Sequence, residues 1–201
     1  MISVLRVSEE NATVGVADHC GWAILVTVSK DSKLIDRRLI KLVDDDLPKL
    51  PHHHEAQSLS PPEAEALIEK VRSSSREHAA RRVDELIQAI PMAIQAFAIR
   101  ECPAIPENLQ ECLANYGAQN VADSIMYRKA LAEAAQSRGI AVHWYKRKTV
   151  FSEAEAAVPC QTIERFLKQI GSAIGPPWQK DHKTAMAAAM AVSLAQARSK
   201  D

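Results

Sequence analysis

Glycine is scarce in this 201-residue chain: there are six, and none falls in a G-x-x-x-x-G-K-[S/T] or G-x-G-x-x-G pattern. The common glycine-rich phosphate loops are thereby excluded. Cysteine is scarce as well. Cys20, Cys102, Cys112 and Cys160 include no C-x-x-C pair, so neither a zinc ribbon nor a thioredoxin-type centre is expected, and the four read as free thiols. No charge of one sign predominates, because 25 Lys plus Arg balance 25 Asp plus Glu. A nonspecific nucleic-acid binder usually carries a basic surplus, so any such site here must be local. No run approaches the roughly 18 apolar residues of a membrane span. The opening residues, Met1 to Arg6, lack the basic-then-apolar pattern of a secretion signal. A cytoplasmic protein without a membrane partner is expected. The 47% hydrophobic and 25% charged content suits one globular domain over 1–201.

Within this frame, three β-rich runs come first: Thr13 to Ala17, Trp22 to Val28 and Leu34 to Ile40. Polar turn residues between them predict an antiparallel meander, with Val4 to Val7 as a candidate extra edge strand. Residues 44–62 carry three consecutive aspartates, four prolines and His52-His53-His54, a composition that predicts a flexible, solvated loop. Apolar residues from Ala64 to Ile90 then recur at steps of three and four, as in a long amphipathic helix stopped by Pro91. Met92 to Ile99 reads as a strand buried on both faces. Two helices follow, from Pro106 to Gly117 and from Val121 to Gly139, and then a fifth strand over Ile140 to Tyr145. A helical region from Ser152 to Ile170, a Gly175-Pro176-Pro177 breaker, a last helix from about Asp181 and a short tail at 199–201 complete the chain. The order β-β-β-α-β-α-β-α predicts an α/β fold, a mixed five-stranded sheet with helices on both faces.

Three carboxylates stand at element ends in this scheme: Asp18 after the first strand, Glu101 after the fourth, and Asp181 at the head of the last helix. The chain here resembles the ribonuclease H-like superfamily, in its RuvC-like, Holliday-junction resolvase type. The resemblance rests on Val14-Gly15-Val16-Ala17-Asp18 followed by Gly21-Trp22-Ala23-Ile24, on Ile99-Arg100-Glu101, and on Asp181-His182-Lys183-Thr184-Ala185-Met186-Ala187. It implies a nuclease of DNA or RNA in which clustered carboxylates hold Mg²⁺ or Mn²⁺. Hard cations prefer oxygen ligands, and a pair of them activates water and stabilises the leaving oxygen of a phosphodiester. By the same resemblance Asp18 would bridge the metals, Glu101 and Asp181 would each bind one, and His182 would assist as a ligand or proton carrier. A homodimer is implied too, so that two sites meet two strands.

Lys146-Arg147-Lys148, directly after Trp144-Tyr145, offers phosphate contacts beside aromatic rings. Trp178, Lys180 and Lys183 offer a second patch near Asp181. The pattern departs from the family at Thr184, where a further acidic residue is expected one turn after Asp181. Each carboxylate also has an ordinary structural role open to it. Asp18 suits a turn before Gly21, Asp181 suits a helix cap, and Glu101 suits an exposed strand end. A second function therefore stands beside the first: a non-catalytic module of the same fold that binds nucleic acid or a protein partner.

Overall fold

The computed structural model describes residues 11–159 and 161–198. The candidate strand at Val4 to Val7, Cys160 and the tail at 199–201 lie outside the described residues. Five strands form one sheet: β1 (Asn11–His19), β2 (Trp22–Ser29), β3 (Leu34–Lys41), β4 (Ala93–Arg100) and β5 (Ala141–Tyr145). Their spatial order is β3-β2-β1-β4-β5. The first three pair antiparallel as the meander requires, whereas β4 runs parallel to both β1 and β5. This is the mixed sheet expected from the sequence.

The helices are α1 (Pro61–Ala89), α2 (Leu109–Ala114), α3 (Tyr116–Gln136), α4 (Val150–Glu155), α5 (Ile163–Ile174) and α6 (Lys180–Arg198). Two boundaries differ from the sequence expectation. Asn115 accepts from the Ala118 N–H and opens α3, so Gly117 sits inside a helix rather than ending one. The region 152–170 is two helices, because Thr162 starts a fresh one by accepting from the Arg165 N–H.

Strand alternation sorts the core into two layers. Val14, Val16, Phe97 and Ile99 face α1 and α3 and pack among Val71, Val83, Leu86, Tyr127 and Leu131. Ala17, Ala96 and Ala98 face the other way, against Ala185 to Met190 of α6. The alanines let α6 approach the sheet closely. A methyl group at Gly15 would lie 1.8 Å from the Ala185 carbonyl oxygen, so only glycine fits at that crossing.

The segment between β3 and α1 is largely exposed, as its composition suggests, but is anchored at a few points. Asp123 of α3, almost wholly buried, accepts from the His52 and His53 backbone N–H groups and lies 2.7 Å from His52 Nδ1. His52 is accordingly buried. Asp44 is held by His78 and by the Ser74 hydroxyl of α1, and these hydrogen bonds keep its carboxyl below the usual range.

Candidate functional site

The ends of β1 and β4 lie side by side, which brings the positions of Asp18 and Glu101 to one region of the sheet. Their side chains meet different fates. Asp18 follows Val16 in alternation and faces α3, where its side chain is 1% exposed. There Oδ2 accepts from Arg128 Nε and from Arg100 Nη2, each at 2.8 Å. Arg128, itself 4% exposed, also donates from Nη1 to the Glu101 carbonyl oxygen at 3.0 Å and from Nη2 to the Ser124 hydroxyl. One guanidinium thus links Asp18 to the Glu101 main chain. Glu101 itself is exposed, and its N–H donates to the Tyr145 carbonyl.

Asp181 sits on the other side of the sheet, at the head of α6. The β1 residue that reaches it is His19, two places after Ala17, with Nε2 at 3.1 Å from Asp181 Oδ2. Both side chains keep about a third or more of their surface in solvent. The His19 ring stacks on Trp22 with centroids 4.0 Å apart. His182 is buried beside them and accepts from the Gln179 N–H; burial, then the nearby Arg37 charge, lower its pKa despite Asp181. The structure therefore joins Asp181 with His19, and does not join Asp18, Glu101 and Asp181 around one point. Strand alternation is the reason: the β1 position that faces α6 is Ala17, not Asp18.

Both guanidinium bonds fall on Asp18 Oδ2, whereas Oδ1 is buried without a hydrogen-bond partner among the described residues, so the arginines offset the charge of Asp18 and leave one of its oxygens unclaimed. Among the described residues, no group of three or more His, Cys, Asp or Glu side chains is placed to hold a metal ion. Thr184 gives its hydroxyl to the Lys180 carbonyl.

The basic candidates are better placed for contact. Lys146, Arg147 and Lys148 are exposed just after β5, next to the end of β4, and Trp144 beside them is half exposed. Lys180 is exposed and Lys183 partly so. Trp178 is committed elsewhere: its indole N–H donates to the Leu167 carbonyl and its ring packs on Gly171 of α5. Tyr145 is buried, donates its hydroxyl to the Val16 carbonyl, and has its pKa pushed up to about 12, mainly by burial.

Three arginines that organise this region escaped the sequence reading. Arg128 had a visible signal, since it lies three residues after Ile125 and four before Ala132, on the apolar stripe of α3. A charge on such a stripe requires a buried partner. Arg100 gave only its position beside Glu101. Arg37 gave none; it donates to the Gly175 and Pro177 carbonyls at 3.0 and 2.6 Å and so fastens the approach to α6 onto β3.

No protein-family model matches the sequence, and no curated protein sequence does either. Solved structures do. Thermus thermophilus RuvC in complex with a Holliday junction substrate superposes with a TM-score of 0.54 at 14% identity, covering 92% of this chain and 95% of that one. A second Thermus thermophilus RuvC structure gives 0.52 at 14% identity, with 93% and 96% covered. Strand order, helix placement and this near-complete overlap together show that the chain has the RuvC-like ribonuclease H fold.

Proposed function

We propose that this protein is a ribonuclease H-fold module that binds nucleic acid without cutting it. The observation that carries the reading is the double arginine pairing of Asp18. A carboxylate so neutralised in a buried setting anchors structure and is a poor ligand for Mg²⁺ or Mn²⁺. Nucleic acid is favoured over a protein partner by the exposed Lys146-Arg147-Lys148 run beside Trp144, which pairs phosphate-binding charge with a stacking surface. The Holliday junction bound by the RuvC neighbour supports the same partner class.

The half-exposed His19–Asp181 pair favours a second reading, a metal-dependent nuclease working from the α6 face. There, Asp181 and His19 would be the available donors. One experiment separates the two. Labelled single-stranded, duplex and branched DNA, and RNA, are titrated with protein in chelator and in Mn²⁺ or Mg²⁺, following both binding and cleavage. Binding in chelator without cutting in metal is expected. Replacing Lys146, Arg147 and Lys148 by alanine should weaken binding and reduce the log–log salt slope by about 2 to 3 on duplex DNA. Metal-dependent cutting that Asp181→Asn abolishes would overturn the non-catalytic reading.

A further inference from the structure

Cys20 and Gly21 turn β1 back into β2, and the register then sets His19, Trp22 and Lys41 opposite one another across β1, β2 and β3. The three stand in one row on a single face of the sheet. The His19 and Trp22 rings are stacked with their planes only 5° from parallel. Because His19 lies on the β1 side, the other face of the indole is turned toward β3. A hollow of about 220 Å³ opens beside it, lined by the apolar Trp22, Leu39 and Val43 and by the charged Lys41, Asp45 and Lys49. Its floor is fixed in place. The Tyr127 hydroxyl donates to the Lys49 carbonyl at 3.2 Å, and the Lys49 stem lies so close over Gly21 that a methyl group there would come within 2.9 Å of Lys49 Cγ.

We infer that this hollow receives one unpaired base of a nucleic-acid strand, stacked on the open face of Trp22, a role that rests on the nucleic-acid reading given above. Size, surface and charge each favour that occupant. The volume falls below the roughly 300 to 1,000 Å³ of pockets that take a whole drug-sized ligand, so it suits a single ring system. An aromatic face with aliphatic neighbours accepts the flat ring of any base, and Leu39, 60% exposed, is an apolar wall that such a ring would cover. Two lysines against one aspartate leave a surplus positive charge in the lining. Asp45 meets Lys41 at 2.8 Å, whereas Lys49 has no ion pair among the described residues. The Lys49 ammonium is thus placed for the phosphate next to the base, and it disfavours a cationic guest on the indole.

The hollow and the Lys146-Arg147-Lys148 run can serve one ligand. The start of β2 and the end of β5 lie at the same end of the sheet, three strand spacings or about 14 Å apart, which a few nucleotides span. A base paired within a duplex is held in its own stack, so the site calls for a single-stranded, branched or otherwise unpaired segment.

Fluorescence titration with 2-aminopurine tests this. The probe base is placed in a single-stranded overhang on a duplex, and the same duplex with blunt ends is the control. Binding should quench the probe. Leu39→Glu, at a site exposed enough to leave folding intact, should remove the quenching and weaken overhang binding about tenfold or more, while blunt-duplex binding changes by less than about twofold. Trp22→Ala should do the same, with circular dichroism confirming its fold. Replacing Lys146, Arg147 and Lys148 by alanine should instead weaken both DNAs. If the wild type binds neither DNA, the nucleic-acid reading itself falls and the hollow's role with it. If both DNAs bind but the probe stays bright, or is quenched equally in Leu39→Glu and Trp22→Ala, the hollow's role alone is overturned. Equal quenching of the free 2-aminopurine nucleotide would also overturn it, by marking a free-nucleotide site.

Discussion

On the α3 side of the sheet, Asp18 is 1% exposed and takes hydrogen bonds from two arginines; on the α6 side, Asp181 keeps 34% of its side chain in solvent and meets one histidine. The two lie near the same end of the central strand β1, yet their surroundings assign them different work. In the dry site the carboxylate is held by two charge-assisted bonds on Oδ2, with Oδ1 unpartnered among the described residues, and removing any member leaves an uncompensated charge. At the wet site water supplies most of the solvation, and the pair contributes little to stability. Burial, more than residue type, separates an internal brace from a group available for chemistry.

Variants sharpen this contrast. The largest effect is expected where the α6 face meets the sheet: Gly15→Val, driven into the Ala185 backbone, should cost about 3 kcal/mol or more in denaturant unfolding. Arg128→Met breaks the α3 side instead. It leaves Asp18 with one arginine and should cost about 3 kcal/mol by the same assay. Asp181→Asn, on the wet side, should cost less than about 1 kcal/mol, and the loss should shrink further in high salt. The smallest effect is chemical rather than structural. Burial, then the Asp123 and Asp18 carboxylates, push the Cys20 thiol up to about 11, so the native thiol holds its proton at neutral pH. Its contribution to stability is present below the ordinary thiol range and is lost as the pH rises toward that value. Peptide mapping after iodoacetamide treatment at about pH 8 should find Cys20 unlabelled in native protein and labelled in urea.

The sheet was legible in the sequence because periodicity and turn chemistry are local. The three β-branched runs, the long stripe of α1 and the buried β4 announced the mixed topology before any contact was known. Strand register was less legible. A one-residue difference decides whether a side chain faces α3 or α6, and it put Ala17, not Asp18, on the α6 face. The anchors of the loop at 44–62 were hidden for a related reason: His52 and Asp44 are held by Asp123, Ser74 and His78 from distant segments, and composition carries no trace of a distant partner. Arg128 was readable in principle as a charge on an apolar stripe, whereas the partner it serves could be found only in three dimensions.

The central claim is that Asp18 is a buried ion-pair member and not a metal ligand. Comparing the unfolding free energy of wild type and Asp18→Asn in chelator tests it through the sign of the change. Two guanidinium groups that lose their only carboxylate among the described residues should destabilise the variant by about 3 to 5 kcal/mol. In a cluster of carboxylates awaiting a cation, the same substitution relieves repulsion, so an unchanged or increased stability would contradict the account.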